Sequence, residues 1–386
     1  MQYKWIILFY ILIVIFLYVK RKSIVTQAKI IFLYRTRFGL RFIEKYGQKY
    51  KQWIRLIGYV GIGAAYIGII FIAYVMLKSL YDLFFIPEAP AGVSLVLPGV
   101  NVPGIGVLSF WYWLIAIFII AIVHEFGHGL VAKAHDIHVK STGLVFIGPI
   151  IGAFVEPDEK DLAKRQDTTQ YSTFAAGPFA NVLLALLAVV LLSLVLFPAQ
   201  TKITEPAGFT FEEYVNDASP AKTAGLMPET VITGINNKMV ADYQSFGRLF
   251  QRLDPNTEVI IQTKEKDFRI TTATHPDDPE QPFLGISKIR NERQLKQEYQ
   301  TWAVKKLYAA LLWFIDLFRW LFLLSLGIGL FNLLPLPIVD GGRIMQTTLH
   351  NLSGKERGER LFRRISFFFV LLLLFNLIFP YFRSLF

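Results

Sequence analysis

The sequence predicts a polytopic α-helical membrane protein with six transmembrane helices, a re-entrant β element and an inserted α+β domain. Three observations carry that reading. The chain of 386 residues is 54% hydrophobic and holds 34 phenylalanines, too apolar for a soluble protein of its size. Several apolar runs exceed the roughly 18 residues needed to cross a bilayer. Its Lys and Arg cluster in two segments between those runs instead of spreading along the chain.

Six spans are expected, at about 3–19, 57–78, 109–131, 173–197, 307–331 and 365–382. The first, around "WIILFYILIVIFLYV", is followed by "KRK" and by no small-residue cleavage site, so it reads as a retained anchor. Residues 20–56 carry eleven Lys or Arg against the single Glu44, and 341–364 carry six against Glu356 and Glu359. The positive-inside rule puts both segments in the cytoplasm. The loop 79–108 has only Asp82 and Glu88 and fits the opposite side. These assignments agree with six alternating spans in a cell membrane, the 198–306 segment being extracytoplasmic. The net charge of +11 therefore marks orientation and contact with the lipid bilayer, not a nucleic-acid groove. With no cysteine in the chain, any metal must be held by nitrogen and oxygen.

The third span ends in "AIVHEFGHGL", residues 121–130. Positions i and i+4 of a helix share a face, so His124 and His128 can grip one ion. Glu125 sits about 100° round the helix, within reach of water but not of the ligand position. This is the logic of a zinc hydrolase, with two imidazoles as ligands and a carboxylate as general base. Ionisable groups at hydrocarbon depth are expensive, which argues against a packing role. A third ligand is needed. His135 and His138 lie in a polar segment just beyond the helix and are expected to face water; His275 lies in the exported domain; His350 sits in a basic stretch. Asp340 is the better candidate. It belongs to "LGIGLFNLLPLPIVDGGRIMQ", where Pro335 and Pro337 break the fifth span and Gly341-Gly342 permit a tight turn. The alternative role for Asp340 is N-cap of a helix beginning at Arg343. Depth supports the ligand role: His124 and His128 lie about 22–29 Å along their helix at 1.5 Å per residue. That is near the cytoplasmic edge, where the fifth span also breaks.

Residues 198–306 are polar, with short β-like runs such as "EVIIQT" and "FRITTAT". Around them stand "ASPAKTAGL", "VITGINN" turning at Asn236-Asn237, a helix in "YQSFGRLFQRL", and "FLGISKI". The pattern resembles a PDZ domain of the kind attached to prokaryotic membrane proteases. It departs from that pattern at "PETVITGINN", which lacks the usual Gly-Asp before the strand and Gly after the Asn. The resemblance implies an edge able to bind a peptide C-terminus, or a spacer that excludes bulky ectodomains.

Three marks, "HEFGH", "AAGPFAN" at 175–181 and "NLLPLPIVDGG" at 332–342, resemble the site-2 protease family of intramembrane zinc metalloproteases. The resemblance covers 109–342. It implies one Zn2+ per chain on His124, His128 and Asp340, Glu125 as general base, and transmembrane proteins as substrates. Val339 before the Asp is a small departure. It also points to Asn181 and Asn332 as supports of the site or of the substrate backbone, with interhelical hydrogen bonding as their alternative role. The broken apolar stretch "GLVFIGPIIGAFVEPDEKD" matches the family's membrane-embedded β element, whose edge from Gly152 to Val155 would pair with an unwound substrate. The expected organisation is a two-helix region 1–108, catalytic core 109–197, PDZ-like domain 198–306, second core segment 307–345, and a C-terminal region 346–386. A metal-ion transporter would also explain buried His and Asp, and an inactive scaffold would share the fold. Neither explains Glu125, and no internal repeat of the transporter kind is present.

Overall fold

The computed structural model describes residues 2–27, 31–86, 96–102, 106–147 and 150–383. Glu88, Gly148 and Pro149, used in the sequence reading, lie outside them. The chain divides into two compact units, one of 1–100, 107–191 and 317–386, the other of 101–106 and 192–316.

In the first unit, helix α1 (Gln2–Val19) leads into strands β1 (Ile24–Gln27) and β2 (Ile31–Thr36). A short helix α2 (Leu40–Lys49) and the long α3 (Lys51–Phe85) follow. Then come α4 (Phe110–Ala134), strands β3 (Val139–Ile147) and β4 (Ile150–Pro157), and α5 (Asp167–Leu191). α5 runs on through a π-helical turn, Leu192–Leu196, into Phe197–Ile203. The polar unit holds β5 (Thr204–Tyr214), β6 (Ile232–Ile235), helix α6 (Tyr243–Phe250), β7 (Glu258–Thr263), β8 (Asp267–Thr271) and β9 (Ile286–Leu295). Helix α7 (Trp302–Phe331) leads back to the first unit, which ends in α8 (Asp340–Ser353) and α9 (Lys355–Arg383).

Five helices among the described residues are long and apolar enough to cross a membrane: α3, α4, α5 with its extension, α7 and α9. The expected first span is the shorter α1. Where helices meet, small residues let backbones approach: a Cβ at Gly127 would lie 2.7 Å from the Ala176 carbonyl oxygen of α5. Polar side chains then bond across the contacts. Ser325 donates to the Asn181 carbonyl at 2.8 Å, and Ser366 to that of Pro335 at 2.7 Å.

The β element predicted after α4 is larger than expected. β1, β2, β3 and β4 form one antiparallel sheet in that order, with Ile31–Thr36 paired against Thr142–Ile147. The basic segment therefore supplies two strands that the charge count concealed. Among the described residues β4 is left as a free edge.

The polar unit is built round an antiparallel sheet in the order β8-β7-β6-β5-β9. Asn236 and Asn237 both have positive φ, 48° and 63°, and form the tight hairpin between β6 and Lys238–Met239. Asp242 and Ser245 close a reciprocal cap on α6. Phe209, Phe211 and Phe246 centre a buried core with Ile232, Ile235 and Val259.

Candidate metal centre

His124, Glu125 and His128 are delivered by the last turns of α4. The two imidazoles present Nε2 atoms 3.2 Å apart. Asp340 Oδ2 lies 3.2 Å from His124 Nε2 and 3.4 Å from that of His128. Four ligands at 2.0–2.1 Å round a tetrahedral ion stand about 3.3 Å from one another. The three donors thus already occupy three corners of such a tetrahedron. Among the described residues this is the one group of three such side chains gathered closely enough for an ion.

The tautomers agree with that use. His128 Nδ1 lies 2.7 Å from the Thr173 carbonyl, to which it donates, so Nε2 keeps its lone pair. Pro178, inside α5 one turn further on, removes a rung of the helix ladder beside that carbonyl. The Asn181 amide lies 3.1 Å from His124 Nδ1, while its Oδ1 is buried without a partner. A half-turn of the amide offers that oxygen to Nδ1–H, satisfying the orphan and freeing Nε2 for a metal. The residues present fit the ion.

Room for both rings comes from Gly177. A Cβ there would lie 2.3 Å from His128 Nε2 and 2.6 Å from His124 Nε2. This glycine lies within "AAGPFAN", and its role depends on the facing helix, which that motif does not encode. Asp340 is the first residue of α8, with Val339 as its N-cap and no side-chain cap bond. Asp340 therefore does not take the alternative role of N-cap for a later helix, and the irregular backbone after the broken span ends just before it. Its turn is set by Gly341 N donating to the Asn332 carbonyl at 2.7 Å. Gly341 and Gly342 pack so closely on Leu333 and Leu336 that a side chain at either would collide with backbone.

Glu125 Oε2 accepts a hydrogen bond from Val155 N at 2.9 Å. Val155 therefore turns its backbone polar groups outward from β4, and by alternation so do Ala153 and Ile151. Gly152, paired with Val145, turns its own toward β3, and it stands outside the wall of the metal cavity. That cavity, about 760 Å3, is lined by the ligands and Glu125 together with Val155, Asn332 and Arg343.

The other histidines stand apart. His138 is exposed, His350 contacts Glu359 at 3.1 Å, and His275 accepts from Asp277 N. His135, expected to face water, is instead only 7% exposed and lies 3.2 Å from the Ser172 hydroxyl. Burial, helped by nearby Arg55, pushes its imidazole down to about 4, so it is neutral at pH 7. Next to it, Lys51 bonds Asp136 and holds that carboxyl below its ordinary range.

A similar protein over most of the length is an uncharacterized protein of Methanocaldococcus jannaschii. It is 28% identical over 373 residues, which cover 94% of this chain and 89% of the relative. A Neisseria meningitidis protein provisionally named a zinc metalloprotease is 25% identical over 210 residues, 41% of this chain and 46% of its own length. The family model for peptidase family M50 matches residues 112–373, which include His124, Glu125, His128 and Asp340. The chain belongs to peptidase family M50.

Proposed function

We propose that this protein is an intramembrane zinc metalloprotease that hydrolyses peptide bonds in or near the transmembrane segments of other membrane proteins. The observation that carries the reading is the triangle of His124, His128 and Asp340, with both imidazole Nδ1 atoms already engaged and Glu125 alongside. Three protein ligands leave a fourth position open, as catalysis requires. When bound, one zinc ion per chain would supply Lewis acidity toward water and the scissile carbonyl.

The chain's own residues supply the rest. Glu125 takes the proton of the attacking water and returns it to the leaving amine. Asn181 is committed to His124, which leaves Asn332, on the cavity wall, as the candidate donor to the developing oxyanion. A helical substrate offers no accessible carbonyl, so it must unwind first. The outward groups of Ile151 and Ala153 on the free edge of β4 offer a ladder for the extended chain.

The setting is a cell membrane crossed six times, counting α1. The basic segments 20–56 and 341–364 face the cytoplasm, which puts the metal centre near that face and exports the polar domain. That domain, read as PDZ-like, binds a newly exposed peptide C-terminus or excludes bulky ectodomains.

The test is Glu125→Gln in the full-length protein. It should keep its zinc and lose cleavage of a single-span substrate by a factor on the order of 10²–10⁴. Full activity in that variant would take Glu125 out of the chemistry.

A further inference from the structure

One ion pair ties the α8 wall of the metal cavity to the segment that follows β4. Arg343, in the first turn of α8 three residues after Asp340, places Nη2 3.2 Å from Glu159 Oε1. Glu159 opens the single turn Glu159–Leu162, which follows directly on β4. One partner thus rides on the element that carries a metal ligand, the other on the end of the free strand edge. Both line the cavity. A chain laid along that edge and running on past Pro157 has to pass this link.

The link is built to open. The two side chains are 49% and 73% exposed, and such a pair contributes only about 0–1 kcal/mol. The partners are unequal once parted. Arg343 stays seated, its guanidinium carbon 5.6 Å from the centre of the Phe174 ring on the same cavity wall. Glu159 has no comparable seat among the described residues. What the passing chain meets is therefore a fixed guanidinium with open donors, whose best partner is a carboxylate bound through two parallel hydrogen bonds. Lys160, also on the wall and without an ion-pair partner among the described residues, adds charge of the same sign.

We infer that Arg343 is a specificity-determining residue: it selects substrates carrying an Asp or Glu just beyond the cleaved segment, the substrate carboxylate displacing Glu159. The inference rests on the proteolytic reading above. It is a demanding filter, because most single-span proteins carry Lys or Arg on the cytoplasmic flank of the membrane, where this mouth is proposed to open.

The experiment uses the full-length zinc-loaded protein and three single-span substrates that differ only in four flanking residues: all Glu, all Gln or all Lys. Wild type should favour Glu over Gln by about tenfold or more in kcat/KM, the size of a charge-assisted bond, and cut the Lys substrate least. Arg343→Glu should reverse the order, and its new side chain suits the positive end of α8. Glu159→Gln should raise kcat/KM for the Glu substrate by removing the internal competitor. Equal cleavage of the three substrates by wild type would overturn the inference. So would a Glu preference that survives Arg343→Glu. An enzyme that cuts none of them would instead defeat the proteolytic reading itself.

Discussion

The unit with the candidate metal centre and the polar unit are sensitive to opposite errors. In the first, the decisive positions are atoms that are missing. Gly177 leaves space for two imidazoles, Gly127 for a helix backbone, and Gly342 for the Leu336 carbonyl. In the second, the decisive positions are large side chains. Phe209, Phe211 and Phe246 are each at most 1% exposed, and the rings of Phe209 and Phe246 lie 4.9 Å apart. The difference follows from the solvent. Lipid gives helices little reason to exclude apolar surface, so close contact and hydrogen bonds hold them. Water drives the polar unit to bury its rings. Adding a methyl group should therefore break one unit, and removing a ring the other.

The largest effect is expected from Gly177→Ala. Its Cβ has nowhere to go, because each imidazole is pinned at Nδ1, and bound zinc should fall below detection by elemental analysis. Resistance of the polar unit to limited proteolysis should be unchanged. Phe209→Ala is the mirror experiment. It should destabilise the polar unit by about 3–5 kcal/mol, seen as protease cutting within 204–295, while zinc content matches that of the unaltered protein. If either variant damaged both units equally, the contrast would be wrong.

Smaller changes sharpen it. Asn181→Ala removes the partner of His124 Nδ1 and should weaken zinc binding by about 10–100-fold, measured by chelator competition. Asp242→Ala removes the cap of α6 and should cost the polar unit about 1 kcal/mol at pH 7. Hydrogen bonds from Ser245, the backbone N–H first, hold the Asp242 carboxyl below its ordinary value. That contribution is accordingly present at neutral pH and fades only as pH falls below about 4, through the lowered range. A difference between wild type and variant that grew on acidification would contradict the assignment.

What could be read ahead of the structure was local. His124, Glu125 and His128 follow from helical spacing, and Asp340 from a span broken by two prolines. The strands at 232–235, 258–263 and 267–271 follow from short β-like runs and the Asn236-Asn237 turn, whereas Thr204–Tyr214 gave no such signal. What escaped was non-local. Ile31–Thr36 pairs with residues more than a hundred positions away, and its arginine and neighbouring lysines read as a charged loop. His135 looked solvated because polar neighbours flank it in sequence, but α5 covers it in space. The roles of Gly177 and of the Val155 amide depend on which elements face them, which spacing along one helix does not encode.

The four-stranded sheet has a consequence for trimmed versions of the protein. A chain beginning at α2 would retain His124, Glu125, His128 and Asp340, and with them every motif of the candidate site. It would nevertheless cut the sheet from four strands to two and leave the β3–β4 hairpin to rely on its packing against α2 and α4. β1 and β2 thus act as a splint for the edge strand, and their removal should show as faster hydrogen exchange at the backbone amides of β3 and β4.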